Sequence, residues 1–448
     1  MTEPTQEGLV RGIRRWDIVA VAINGIIGAG IFGLPSKVYA LIGAYSLIAF
    51  IVCALVVTLI ILCFAEVASR FTQTGGPYIY AREAFGPAIG FEVGWLMWLA
   101  RLTAFAANCN LLIDYLGYFW PAASAAYWRE AIIIAVVLLL TVVNIRGVRN
   151  AALVSNVFTI GKLIPIVFFI AVGFFFINPD NYSFAARPGY GAFSTSVLML
   201  IYAFTGFEMA VIPAGEVRDP RRNLPLAILT AIALVATLYI CIQVVCIGTL
   251  PELAASQRPL ADASNRFLGR AGGAIISAGV IVSIFGNLNV LILAGSRLPF
   301  AMAESRELPR IVSATHGRFR TPYVAIAITT TVMLALTLWS TFTKQLTLSA
   351  IARLLSYGVT CAALPALRRG GESRPAAFKA PAGMAVSVAA LALAVWLLSN
   401  STWLDARDSA IAAAIGLAIY FAYKWSGRGK QSRPEMNTGN EAVSHERA

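Results

Sequence analysis

The segment NVFTIGKLIPI at 156–166 sets a lysine, Lys162, among apolar neighbours on both sides, about halfway along an apolar run at 151–177. An ammonium at that depth is beyond easy snorkelling distance of water, and a charge at mid-bilayer costs about 2.5 to 3.5 kcal/mol even on lenient insertion scales. Desolvation disfavours the charged form, so a lysine so placed can bind and release a proton; the plainer alternative is a static tether between helices. Three further charges, Glu208, Arg101 and Arg353, also fall inside apolar runs. Glu208 suits either a functional group or a paired structural carboxylate at the end of an interrupted run. Arg101 suits a cavity that takes an acidic group, a pairing with Glu92 or Glu208, or an extension to water. Arg353 suits a gate or a structural partner. Asn287 and Asn289 are polar groups at depth that either hydrogen-bond between helices or line a site.

A second kind of chemistry needs no side chain. GIIGAGIFGLP at 25–35 places Gly25, Gly28, Gly30 and Gly33 near the middle of the first apolar run, and each glycine costs about 1 kcal/mol relative to alanine in a helix interior. Small residues at such spacing can serve close helix packing. They can equally break the helix at Gly28-Ala29-Gly30, and broken backbone at that depth is tolerated only where it lines a cavity. The exposed N–H groups of the second half-helix, with a partial charge of about +0.5, attract a carboxylate, while the unpaired carbonyls of the first attract an ammonium or another cation. Together the two ends fit a zwitterion. The sixth run carries a matching interruption, YAFTGFE at 202–208, with Pro213 and Gly215 beyond it. Paired breaks of this kind point to two inverted five-span repeats whose corresponding positions meet at one site.

Such breaks need a bundle of spans to hold them. Of 448 residues, 58% are hydrophobic and 13% charged, against roughly 45–50% and about 25% in soluble domains. A bilayer core about 30 Å thick needs roughly 20 apolar residues per helix. Apolar runs place spans at 16–40, 44–68, 88–119, 130–145, 151–177, 192–215, 224–250, 271–303, 322–342, 346–367, 382–400 and 408–425. The expected fold is an all-α polytopic membrane protein of about twelve spans. Residues 1–15 form a tail, 16–177 a first repeat, 192–367 a second and 382–425 two accessory helices. The segment 426–448 is polar, without apolar period, and reads as a disordered tail.

The net charge of +13 raises nucleic acid as a partner, and the position of the charges removes it. With the N-terminus in the cytoplasm, inward segments hold 23 Lys and Arg and outward segments 8, an asymmetry that puts both termini inside. Orientation and contact with lipid headgroups account for the positive excess. The first run continues past a short basic stretch without a cleavage pattern, so it reads as a retained span. All six cysteines fall in predicted spans with no C-x-x-C pair, and only His316 and His445 are available as imidazoles. Disulfides, a structural metal and any other cofactor are therefore not expected. A membrane enzyme would need clustered nucleophiles and bases, and no such spacing occurs.

Four segments together resemble the amino acid, polyamine and organocation (APC) transporter superfamily along nearly the whole chain. They are GIIGAGIFGLP; AEVASRFTQTGGPYIYAREAFGPAIGF at 65–91; YAFTGFEMAVIPAGEVRDPRRNLP at 202–225; and AGSRLPFAMAESRELP at 294–309. The resemblance implies a ten-helix inverted-repeat core with discontinuous helices one and six, two accessory helices, alternating access and amino acid substrates. By the same resemblance, Ile27, Gly28, Ala29 and Gly30 match a substrate-backbone loop, and Phe204, Thr205 and Gly206 match its partner. Tyr202 matches an aromatic gate, with an ordinary core aromatic as the alternative, and Glu208 matches a gating glutamate. Lys162 looks like a lysine that, in proton-coupled members, replaces a sodium ion against the first span. The expectation is a permease that carries an amino acid with protons across a bacterial inner membrane, with an exchanger of the same fold as the alternative. Bacterial origin is inferred from the resemblance and from the excess of Arg over Lys.

Overall fold

The computed structural model describes residues 13–73, 75–146, 151–185, 187–319, 321–369 and 375–426, with backbone alone at 151–160. Of the tail expected at 426–448 only Ser426 falls within this set, and residues 427–448 and 1–12 lie outside it. A backbone in hydrocarbon has to satisfy its N–H and C=O groups within its own segment, and the described chain is correspondingly helical. In order, the helices are α1 (Arg15–Ile26), α2 (Ala29–Ile42), α3 (Ser46–Ala68), α4 (Pro77–Phe85), α5 (Pro87–Leu116), α6 (Ala126–Arg146), α7 (Ala151–Gly173), α8 (Tyr190–Phe204), α9 (Glu208–Val211), α10 (Pro220–Thr249), α11 (Pro259–Glu304), α12 (Tyr323–Trp339), α13 (Phe342–Arg369), α14 (Gly383–Ser399) and α15 (Trp403–Trp425).

Among the described residues, seven helical stretches are long and apolar enough to cross a membrane, α2 and α3 counting as one. The helices α14 and α15 qualify together across a bend of 115°, and two shorter apolar helices lie at 161–176 and within α12. The chain is an integral membrane protein. Large apolar side chains on the outer faces, such as Leu138, Leu139, Phe175 and Trp425, are exposed, as a lipid-facing surface requires. The helix α5 is the central pillar. It is buried along most of its length and packs against α4, α11, α12, α13 and α15.

Two features depart from the expected spans. The connection at 69–87 contains α4, an amphipathic helix too short to show in an apolar-run reading; glycines with φ +54° and +94° (Gly76 and Gly86) bound it. The helix α11 begins at Pro259, well before the expected 271, and turns at Gly269, where φ is +64°. Its first part is therefore a separate helical segment leading into the apolar one.

The face on which α1 begins is closed. Ile13 N–H donates to the Glu216 carbonyl at 3.0 Å and Arg218 N–H to the Ile13 carbonyl at 2.9 Å. Arg15 Nε donates to Asn223 Oδ1 at 3.1 Å. On the same face the fully buried Glu66 accepts two bonds from Arg368, at 2.7 and 2.6 Å, with a third from Arg70 at 3.2 Å and a fourth from the Ala380 N–H at 2.9 Å. These contacts tie α3 to α13 and to the segment before α14. A buried carboxylate is tolerable only when its lone pairs are filled in this way.

Candidate functional site

The first break falls where the glycine run expects it. The helix α1 ends at Ile26, Gly28 is extended (φ −119°, ψ −156°), and α2 starts at Ala29. The Gly28 N–H turns back to the Ile26 carbonyl at 2.9 Å, so the Asn24 carbonyl loses the partner that a continuous helix would give it. Lys162 fills the gap. Its Nζ donates to the Ile27 carbonyl at 2.8 Å and to the Asn24 carbonyl at 3.2 Å. The side chain is 1% exposed, and no carboxylate lies within 4 Å of it among the described residues. Tyr239, on α10, bridges the two breaks, its hydroxyl lying 3.1 Å from Ile26 O and 3.2 Å from Ala203 O.

At the other side of the break, the Ala29 N–H that opens α2 donates to Asn108 Oδ1 at 3.2 Å. Asn108 is itself held on α5. Its Nδ2 donates to the Ala104 carbonyl at 2.7 Å and to the Tyr202 hydroxyl at 2.8 Å, and its Oδ1 also accepts from Asn287 Nδ2 at 3.0 Å. A side-chain amide thus caps the positive end of the second half-helix.

The second break mirrors the first. The helix α8 ends at Phe204, Thr205 is extended, and Gly206 takes φ +110°, a conformation that favours glycine. The Gly206 N–H donates to Glu208 Oε2 at 2.9 Å. The same oxygen accepts from the Tyr357 hydroxyl at 2.7 Å, and Glu208 Oε1 accepts from Arg353 Nη1. Glu208 and Arg353 are 1% and 4% exposed, so this ion pair joins the second break to α13 with almost no solvent screening.

Between the breaks lies a cavity of about 20 Å³ lined by Gly28, Gly30, Asn108, Tyr202, Thr205 and Arg353 among others, room for roughly one water. Of the residues expected at a site, Gly28, Gly30, Tyr202 and Thr205 line it. Ile27 and Ala29 flank it through their backbone groups, Phe204 packs edge-on against the Tyr239 ring at 5.1 Å, and Gly206 and Glu208 sit at the second break without lining the cavity. Lys162 stands behind the first break rather than in the cavity.

Arg101 pairs with neither Glu92 nor Glu208. Its Nη1 donates to the Met97 carbonyl at 2.9 Å, while Nε and Nη2 have no partner among the described residues. Asn289 accepts from Asn144 at 2.9 Å, a bond between α11 and α6. Sequence reasoning missed Asn108, Tyr239 and Tyr357. Asn108 carried a signal, being one of two amides, with Asn110, deep in an apolar run; the tyrosines carried none, since nothing in an apolar segment marks which tyrosine will face a broken helix.

Comparison with known proteins agrees with this geometry. The chain is 29% identical over 436 residues to the serine/threonine exchanger SteT of Bacillus subtilis, covering 93% of this chain and 98% of that one. It is 27% identical over 438 residues to the methylthioribose transporter of the same organism, covering 93% and 94%. Its identity to the branched-chain amino acid permease BcaP, also of Bacillus subtilis, is 24% over 443 residues, again covering 93% and 94%. These relatives are transporters, and so is this chain; it is not an enzyme. The family model described as "Amino acid permease" matches residues 13–420. A bundle with two broken spans facing each other across a small polar cavity, matched by that model over nearly its whole length, belongs to the amino acid permease family of the APC superfamily.

Proposed function

We propose that the chain is a proton-coupled symporter that carries an amino acid into the cytoplasm by alternating access. The supporting observation is Lys162: a buried ammonium on two carbonyls orphaned by the first break, with no carboxylate partner. Protonated, it holds the end of α1 against α7; on losing its proton it no longer donates to both carbonyls in the same way, and α1 is freed to move. The substrate's carboxylate takes the place of Asn108 Oδ1 at the start of α2, and its ammonium meets carbonyls at the breaks. Ile27, Gly28, Ala29, Gly30, Tyr202, Phe204, Thr205 and Gly206 are the substrate-facing set, and Glu208 gates the second break.

In this reading the chain makes twelve spans, ten of them forming two inverted halves with α14 and α15 as accessory helices. Both termini lie in the cytoplasm, and the membrane is the bacterial inner membrane. Room for only about one water in the central cavity fits a closed form that must widen to admit substrate.

The test is uptake into proteoliposomes from a panel of labelled amino acids, with and without a proton gradient. Uphill accumulation in wild type and its loss in Lys162→Ala are expected. Accumulation against the gradient by Lys162→Ala would overturn the role of the lysine. The likeness to SteT favours a second reading, exchange, which the same assay separates: uptake that requires amino acid inside the vesicle identifies an exchanger. The methylthioribose relative makes the breadth of the panel matter, because related chains are named for substrates of different chemistry.

A further inference from the structure

On the face opposite the Ile13 contact, α2, α5 and the start of α13 enclose a cavity of about 300 Å³, at the lower end of the range for small-molecule sites. Its wall carries Lys37, Asn110, Asp114, Arg129, Gln257 and Phe342. The charges there do not neutralise one another by contact. Lys37 Nζ donates to the neutral amide of Gln257 at 2.9 Å. Arg129 donates to Asn110 Oδ1 and, at 3.4 Å, to the Thr337 carbonyl. The Asp114 carboxylate makes no hydrogen bond or ion pair with any described residue. Two cations and a free carboxylate thus face one concave space.

The cavity also adjoins the central one. Gly33, in its wall, lies one turn of α2 beyond Gly30, which lines the central cavity. The Phe342 ring packs so closely on Gly33 that a Cβ there would meet it at 2.9 Å. A ligand leaving this cavity along α2 passes that ring before it reaches Gly30.

We propose that this vestibule is an outer binding station for a zwitterionic amino acid, with Asp114 taking the α-ammonium and Lys37 the α-carboxylate before passage to the central cavity. The inference rests on the amino acid reading of the central cavity. A zwitterion is favoured over a simple anion because an anion leaves Asp114 unused and repelled, and over a simple amine because an amine does the same to Lys37. Arg129 is already engaged with Asn110 and Thr337, so it shapes the wall and adds attraction for the carboxylate.

The experiment measures KM for a transported amino acid presented from the vestibule face and from the opposite face, in proteoliposomes of sorted orientation. Asp114→Asn and Lys37→Gln are each expected to raise the vestibule-face KM about tenfold, the loss of one charge-assisted contact. The opposite-face KM should rise much less. A des-amino analogue should compete from the vestibule face more weakly than the amino acid in wild type, and more strongly in Asp114→Asn than in wild type, because the carboxylate that repels it is gone. Vestibule-face KM values that stay at wild type in both variants overturn the station, as do equal rises on both faces, which place the charges' effect at the central cavity. If one variant fails to elute as a folded protein, the other decides. Wild-type protein that transports no amino acid refutes the central reading and this inference with it, whereas transport without a KM shift refutes the station alone.

Discussion

Gly25 and Gly206 meet backbone to backbone at the centre of the molecule. A Cβ on Gly206 would lie 2.0 Å from the Gly25 carbonyl oxygen, and one on Gly25 would lie 2.4 Å from the Gly206 carbonyl oxygen. Neither residue can carry a side chain while the two breaks remain in contact.

Gly206→Ala is therefore expected to be among the most damaging single changes. Its φ of +110° already implies strain of about 1–3 kcal/mol for an L residue, and the overlap with Gly25 adds to that. Purified in detergent, the variant should lose most of its folded fraction by size-exclusion and thermal unfolding. Gly191→Ala is the control: nothing lies within 4 Å of its added Cβ, and wild-type stability is expected.

This contact shows how much was legible in the sequence. Glycine spacing located the first break, because a run such as GIIGAGIFGLP abandons helix propensity in mid-span; the second, with Gly206 alone, was legible as a matching interruption with Pro213 and Gly215 beyond it; and Lys162 stood out because charge is costly there. What the sequence could not supply was which side chains meet the breaks. Asn108 and Tyr239 arrive from helices α5 and α10, far along the chain, and their aim depends on helix rotation that apolar residues in lipid do not encode. The same limit hid α4 and the turn at Gly269, since apolar runs mark what lies in lipid and leave polar helices beside it unmarked.

Asn108 offers a test of where the substrate carboxylate binds. Its Oδ1 holds the Ala29 N–H at 3.2 Å, the place where a carboxylate gains most from the half-helix dipole. Asn108→Asp installs a permanent carboxylate there, and it should lower substrate affinity at least about tenfold, equivalent to 1.4 kcal/mol. Equilibrium binding of labelled substrate measures it. Undiminished binding would show that the substrate does not use the start of α2.

Glu307 predicts a pH dependence on the face where α1 begins. It lies in the segment after α11, 7% exposed. Burial pushes its carboxyl above the usual carboxylate range, and the Tyr78 hydroxyl at 3.0 Å and Arg82 at 3.8 Å only partly oppose this. A carboxyl raised in the folded state favours the fold fully below its unfolded value, and that contribution is lost as pH rises through the folded value. Thermal stability of wild type should therefore fall as pH rises across that interval, and the corresponding slope should be absent in Glu307→Gln. Parallel pH profiles for the two proteins would assign the dependence elsewhere.

The pair formed by Glu208 and Arg353 allows gate and brace to be told apart. Removing one member of a buried pair leaves an uncompensated charge, at a cost of about 3–5 kcal/mol, so Glu208→Gln and Arg353→Met should each unfold at markedly lower temperature and fail to transport. The double variant removes both charges together. Because the two residues are in contact, the effects should not add, with a coupling of about 0.5–3 kcal/mol, and the double variant should regain much of the lost stability. Transport separates the roles. A pair that only braces α13 against the second break leaves a stable double variant that transports. A pair that must part and re-form as the second break opens leaves a stable double variant that binds substrate yet does not carry it. The second outcome is expected, because Glu208 sits on the break itself and its Oε2 holds the Gly206 N–H at 2.9 Å, so the carboxylate has to move whenever that backbone does.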